Sequence, residues 1–193
     1  MKYLSIQHPP FHIRSVTGDG EHAGQAALAS STLIRDAQAI AEIYNSYVDA
    51  GGATFDVTHW TTEFVIKQLR LPAPDGWFVA VDESTCQIAG WASVHRFSAR
   101  HGFRWSCESA IYLRPDALGR GLADALQQRL EAHCHECHVH HLTAKIIADN
   151  TRSLAFHRRH GFESVGIQKE IGNMNGQWVD LVILQKILTM RKP

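Results

Sequence analysis

At 193 residues, 45% hydrophobic and 20% charged, the chain has the length and apolar content of a single domain with one substantial core, which leaves little room for a second. Nineteen basic and nineteen acidic residues cancel, so nothing global draws it to nucleic acid or an anionic membrane, and a small neutral or zwitterionic partner is favoured. No stretch approaches the ~20 apolar residues that span a bilayer, and residues 1–7 lack the layout of a secretion signal, so a cytoplasmic protein is expected.

In chain order, a short strand is predicted over 11–16. Residues 17–31 are rich in Gly, Ala and Ser and poor in large apolar side chains, and they read as an inserted or mobile loop. Asp36 then caps the clearest amphipathic helix, where Ala37, Ile40, Ala41, Tyr44, Tyr47 and Val48 recur at helical spacing until Gly51 and Gly52 stop it. A shorter helix over 61–69 ends at a loop holding Pro72 and Pro74. β-Branched and aromatic residues over 77–81, 88–94 and 107–113 predict consecutive strands. From Gly121 the period is helical again, with Leu122, Leu126, Leu130 and Cys134 on one stripe. A buried strand over 142–147 follows, then a helix capped by Asn150 or Thr151 and ended at Gly161, and last two strands over 165–170 and 178–186. The order is that of an α/β fold.

Between the third of those strands and the helix after it lies the loop that carries the most chemistry. Gly119 and Gly121 let the backbone turn tightly beside a helix N-terminus, whose unpaired N–H groups suit an anion such as a diphosphate. The same residues also suit a plain strand-to-helix turn. No Gly-Lys-Ser/Thr follows, which excludes a nucleotide P-loop, and the third glycine of the dinucleotide fingerprint is missing.

The window Leu118-Gly119-Arg120-Gly121-Leu122-Ala123 resembles the coenzyme A loop of the GNAT acetyltransferase superfamily, Gln/Arg-x-x-Gly-x-Gly/Ala, with Leu118 in place of the usual Gln or Arg. The resemblance narrows, over residues 36–188, to the phosphinothricin and methionine sulfoximine N-acetyltransferase branch. It is carried by Ala53-Thr54-Phe55, by Ser98-Ala99-Arg100-His101-Gly102-Phe103 with Glu108 to Leu113, by Asn150-x-x-Ser153 with His157, and by Gly176-Gln177-Trp178-x-Asp180. It implies a GNAT fold, a mixed central sheet flanked by helices in one domain over 1–193, and residues 18–35 stand out against it as an insertion. It also implies acetyl-CoA as co-substrate, no required metal, and a homodimer in which Trp178 and Asp180 shape the neighbouring subunit's pocket.

Transfer of an acetyl group to an amine needs a base for the amine, a donor for the carbonyl and a proton for the thiolate. Glu108 sits between Cys107 and Ser109 in an otherwise apolar strand, where partial burial would raise its pKa towards that of a general base; it equally fits the strand's outer face. By resemblance Glu108 is the proton acceptor, directly or through water, and His157 serves the departing sulfur, although in a chain with 13 histidines it also fits a plain helix surface. The resemblance assigns Ile111, Leu113, Leu118, Gly119, Arg120, Gly121, Leu122, Ala123, Asn150 and Ser153 to the cofactor. It assigns Thr54, Phe55, Arg100, His101, Gly102, Phe103 and Tyr112 to the acceptor, with Arg100 or Arg104 free to pair with a carboxylate or phosphinate or to stay solvated.

The cysteines, Cys86, Cys107, Cys134 and Cys137, are too few and irregular for a disulfide framework. His133-Cys134-His135-Glu136-Cys137-His138 opens the one passage that suggests a metal module, but no second Cys-x-x-Cys accompanies it, and no metal is expected. Two other functions stay open on sequence alone: acetylation of another amine, such as a polyamine or a protein N-terminus, and an acyl-CoA-binding sensor without catalysis. Intact Glu108 and His157 speak against the sensor.

Overall fold

The computed structural model describes residues 11–16 and 26–188. Its elements are β1 (Phe11–Ser15), α1 (Ala26–Ala50), α2 (Thr62–Leu69), β2 (Gly76–Asp82), β3 (Ile88–Arg96), β4 (Ser106–Leu113), α3 (Leu122–Glu136), β5 (His141–Ile147), α4 (Thr151–Arg159), β6 (Glu163–Met174) and β7 (Gln177–Ile187). Among the described residues the strands form one seven-stranded sheet in the order β1-β2-β3-β4-β5-β7-β6.

Helices cover both faces of its centre, so β2 and β3 read as nearly continuous apolar runs rather than alternating ones. Trp77, Val79 and Trp91 pack with Ile40, Tyr44 and Val65 of α1 and α2 on one face. Phe78, Ala80 and Ala92 pack with Leu126, Leu130 and Cys134 of α3 on the other.

One sequence expectation is overturned. Asp36 is no N-cap: α1 begins at Ala26, and of the supposed loop only residues 17–25 lie outside the described residues. Alanine is the best helix former, so the Ala-rich stretch continues the helix without needing large apolar residues, and Leu33 packs against the core. Asp36 is instead fully buried against β1, where Arg14 Nη2 donates to its Oδ1 at 2.9 Å and lies 2.7 Å from Oδ2.

The feature that makes a site is a break in the sheet. β4 and β5 run parallel but pair only through Ser106↔His141, Cys107↔Leu142 and Glu108↔Thr143. Beyond Glu108, β4 stays with β3 as far as Gly90↔Leu113, and β5 stays with β7 as far as Ile147↔Leu181. The two strands therefore part like the arms of a V, leaving backbone groups on both inner edges without ladder partners from the opposite arm.

Candidate active site

The V opens a cleft of about 310 Å³, with β4 on one side, Ala144, Lys145 and Ile146 of β5 on the other, and α4 and the start of α3 at its mouth. Glu108 marks the point of parting. Its carboxylate meets Lys145 Nζ at 2.7 Å, and the two side chains are 36% and 41% exposed. Of the two placements the sequence left open, the carboxylate takes the half-buried one in the cleft, and it is clasped by an ammonium that the sequence reading did not foresee.

His157 occupies the α4 side and is 6% exposed. Its Nδ1 lies 2.9 Å from Ser153 O; a carbonyl only accepts, so Nδ1 carries the proton and Nε2 keeps its lone pair in the neutral ring. Burial pushes its pKa below the ordinary histidine value; the bond to Ser153 O opposes the shift and nearby His160 adds to it. Phe156 and Phe162 pack edge-to-face on the ring at 5.2 and 5.0 Å.

At the mouth, Gly119 and Gly121 adopt φ +78° and +77°, and a side chain on either would project into open space. Gly121 is the N-cap of α3 and offers no side-chain bond, so the first-turn N–H groups stay available to an anion. Asn150 Oδ1 caps α4 by accepting from Ser153 N at 3.1 Å, and both residues line the cleft.

The Acetyltransferase (GNAT) domain family matches residues 30–183. The chain belongs to the GNAT acetyltransferases. Among its relatives is the L-amino acid N-acyltransferase MnaT of Escherichia coli K12, 31% identical over 156 residues, 81% of this chain and 91% of that one. The L-methionine sulfoximine/L-methionine sulfone acetyltransferase of Salmonella typhimurium is 30% identical over 155 residues, 78% of this chain and 88% of its own length. A phosphinothricin acetyltransferase from Sinorhizobium meliloti, solved in complex with acetyl-CoA, superposes with a TM-score of 0.75 at 31% identity, covering 80% of this chain and 84% of that one.

In this GNAT domain the residues assigned from sequence do not all gather at the cleft. Glu108, Ile111, Tyr112, Leu113, Leu118, Ala123, Asn150, Ser153 and His157 line it. Gly119, Arg120 and Gly121 form the turn outside it, and Leu122 is buried in the core beneath α3, where it anchors the helix. Thr54 bonds to the Tyr44 hydroxyl at 2.6 Å, and the Phe55 ring lies so close to Gly172 of β6 that a Cβ there would collide with it. Arg100, His101, Gly102 and Phe103 form an exposed turn between β3 and β4, where Phe103 packs on Phe97; they do not line the cleft themselves, but the Phe97 ring lies 5.9 Å from the Lys145 ammonium that does.

The sequence reading missed Tyr47, Lys145, Arg152 and Phe156, all of which line the cleft. Tyr47 donates to Leu113 O at 2.6 Å and ties the end of β4 to α1. Lys145 was detectable as the lone charge within an apolar strand, His-Leu-Thr-Ala-Lys-Ile-Ile. The histidine–cysteine passage is split between core and surface. Cys134 is buried, with its thiol raised by desolvation, while Cys137 Sγ lies 3.5 Å from His133 Nε2, itself 3.0 Å from Pro74 O. The described residues hold no group of three or more metal-ligating side chains there.

Proposed function

We propose that this GNAT domain transfers the acetyl group of acetyl-CoA to the amino group of a small amino-acid-like acceptor of the phosphinothricin or methionine sulfoximine/sulfone type, acting as a cytoplasmic homodimer. The observation that carries the reading is the parting of β4 from β5 at Glu108, which sets a carboxylate at the base of a cleft running to the bare N-terminus of α3. The co-substrate supplies an activated thioester. The N–H groups of the Gly119–Gly121 turn and of the first turn of α3 face its diphosphate, and the unpaired inner edges of β4 and β5 offer hydrogen bonds to its amide-bearing arm.

The backbone N–H at the Leu113 end of β4 polarises the acetyl carbonyl. Glu108 takes the proton that the amine loses on attacking that carbonyl, through a water where Lys145 holds the carboxylate back. Carbon–sulfur cleavage then releases the thiolate, which receives a proton from solvent or from His157. Because Nδ1–H of His157 is committed to Ser153, that donation requires a ring protonated at Nε2 as well.

The test is release of coenzyme A thiol across an amine panel that includes phosphinothricin and methionine sulfone, with wild type and Glu108→Gln. Wild type turns over amino-acid acceptors, and Glu108→Gln loses about a hundredfold to ten-thousandfold in kcat with acetyl-CoA affinity kept, the loss shrinking as pH rises and more amine is neutral. Turnover by Glu108→Gln near the wild-type rate at neutral pH would remove Glu108 from its role. Absence of thiol release with every amine would return the sensor reading.

A further inference from the structure

Glu108 and Lys145 reach each other from the two arms of the V. Each backbone is held by its own ladder, Glu108 opposite His95 of β3 and Lys145 opposite Ile183 of β7, while their side chains meet at 2.7 Å in the cleft. At 36% and 41% exposed, the two charges are screened by water, and the pair contributes little by its own contact. The stem of a lysine is flexible and its ammonium is a compact point charge, so Lys145 swings away from Glu108 while β5 stays in place. The contact is one that a ligand can open.

At this end of the cleft, among the described residues, Lys145 is the cation in position to answer an anion. Arg152 also lines the cleft, but its charge acts on the Tyr47 hydroxyl, which donates to Leu113 O at the far end of β4. Burial disfavours a charge on His157. His95, opposite Glu108, has Nδ1 3.3 Å from Asp75 Oδ1, so any proton on that ring is balanced by a carboxylate. Arg100 and Arg104, which the sequence offered for a carboxylate, flank the turn that packs on Phe97 through Phe103, and neither lines the cleft. Phe97 presents its ring 5.9 Å from Lys145 Nζ, a cation–π contact that does not depend on Glu108.

A free α-amino acid carries the complement of this pair, an ammonium and a carboxylate on either side of one carbon. We propose that the acceptor divides the ion pair: its ammonium takes the place of Lys145 on Glu108, and its α-carboxylate receives the displaced Lys145 ammonium, so that Lys145 selects acceptors with a carboxylate beside the amine; the proposal rests on the amino-acid acetyltransferase reading above. Each charge released when the pair opens is matched again by the bound zwitterion. A polyamine brings a second cation towards Lys145, and a protein N-terminus brings a neutral amide, so either one opens the pair and leaves Lys145 unmatched. One proton passes from the bound ammonium through Glu108 to solvent before the nitrogen attacks, and the transfer then follows the steps given above.

The experiment measures kcat/KM for methionine sulfone and for its carboxamide in wild type, Lys145→Met and Lys145→Arg, with calorimetric titration of each acceptor in the absence of acetyl-CoA. The side chain of both acceptors is uncharged, so they differ by the one carboxylate. The readout is the change in the acid-to-carboxamide ratio on substitution, in which the different basicities of the two amines cancel. Lys145→Met should lower that ratio by at least about tenfold, the worth of a hydrogen bond to a charged group. Lys145→Arg, which keeps a cation, should retain most of it. A ratio unchanged by Lys145→Met, with both acceptors slowed alike, or one lowered as far by Lys145→Arg, overturns the proposal and leaves the acetyltransferase reading standing. If wild type acetylates neither acceptor, that reading fails, and calorimetry decides the site by itself. Binding of the free acid weakened more than that of the carboxamide by Lys145→Met upholds it; equal weakening, or no heat with the free acid, overturns it.

Discussion

The imidazole of His157 is held by its own helix, with Nδ1–H on Ser153 O and two phenylalanine edges against the ring. Burial lowers its pKa below 6.5, so the unfolded chain takes up that proton more readily than the folded one. Stability contributed by the neutral ring is therefore complete above about pH 6.5 and is lost as pH falls below it. Thermal melts of wild type and of the non-titrating His157→Gln should differ most near pH 7.5, with the gap in Tm closing towards pH 5. A gap independent of pH would mean that the ring is not buried as the neutral form. Lys145 lies at the same scale: a single charge in an apolar strand finds its reason in Glu108, across the point where β4 and β5 part.

Among the elements, α1 is secured at an internal residue, Asp36. Asp36 has no exposed side-chain surface, and Arg14 of β1 is the cation facing it. Removing one partner of such a pair leaves a charge without compensation in the core, at a cost of ~3–5 kcal/mol. Arg14→Met should therefore lower Tm by roughly 10 °C, and Arg14→Met with Asp36→Asn should recover part of the loss. Equal and additive effects of the two substitutions in a thermal double-mutant cycle would show that the pair does not couple. The strands β2, β3 and β5 were legible from sequence because burial on both faces leaves an unmistakable apolar run. The start of α1 was not, because a reading built on large apolar side chains passes over alanine, whose contribution is helix propensity.

For the whole molecule, the last hairpin shows what one chain leaves unfinished. β6 forms the edge of the sheet, and Val165, Ile167 and Ile171 on it, with Trp178 of β7, are exposed. Exposed aliphatic and aromatic side chains along an unpaired edge are a surface that a second copy would cover, in keeping with the proposed homodimer. Light scattering should give twice the 21.6 kDa of one chain, and Ile167→Glu combined with Trp178→Ala should return the single-chain mass. A single-chain mass for wild type at micromolar concentration would set the homodimer aside.

The sequence by itself determined the α/β class, the order of nearly all the elements, the glycine turn before α3 and the acid at the start of β4, because each is written in local periodicity, turn chemistry or a contiguous motif. Tertiary structure alone decided where β4 and β5 separate and that Lys145 meets Glu108. Those facts join residues far apart in the chain through sheet register and packing. No local pattern encodes how far two parallel strands stay paired before they diverge.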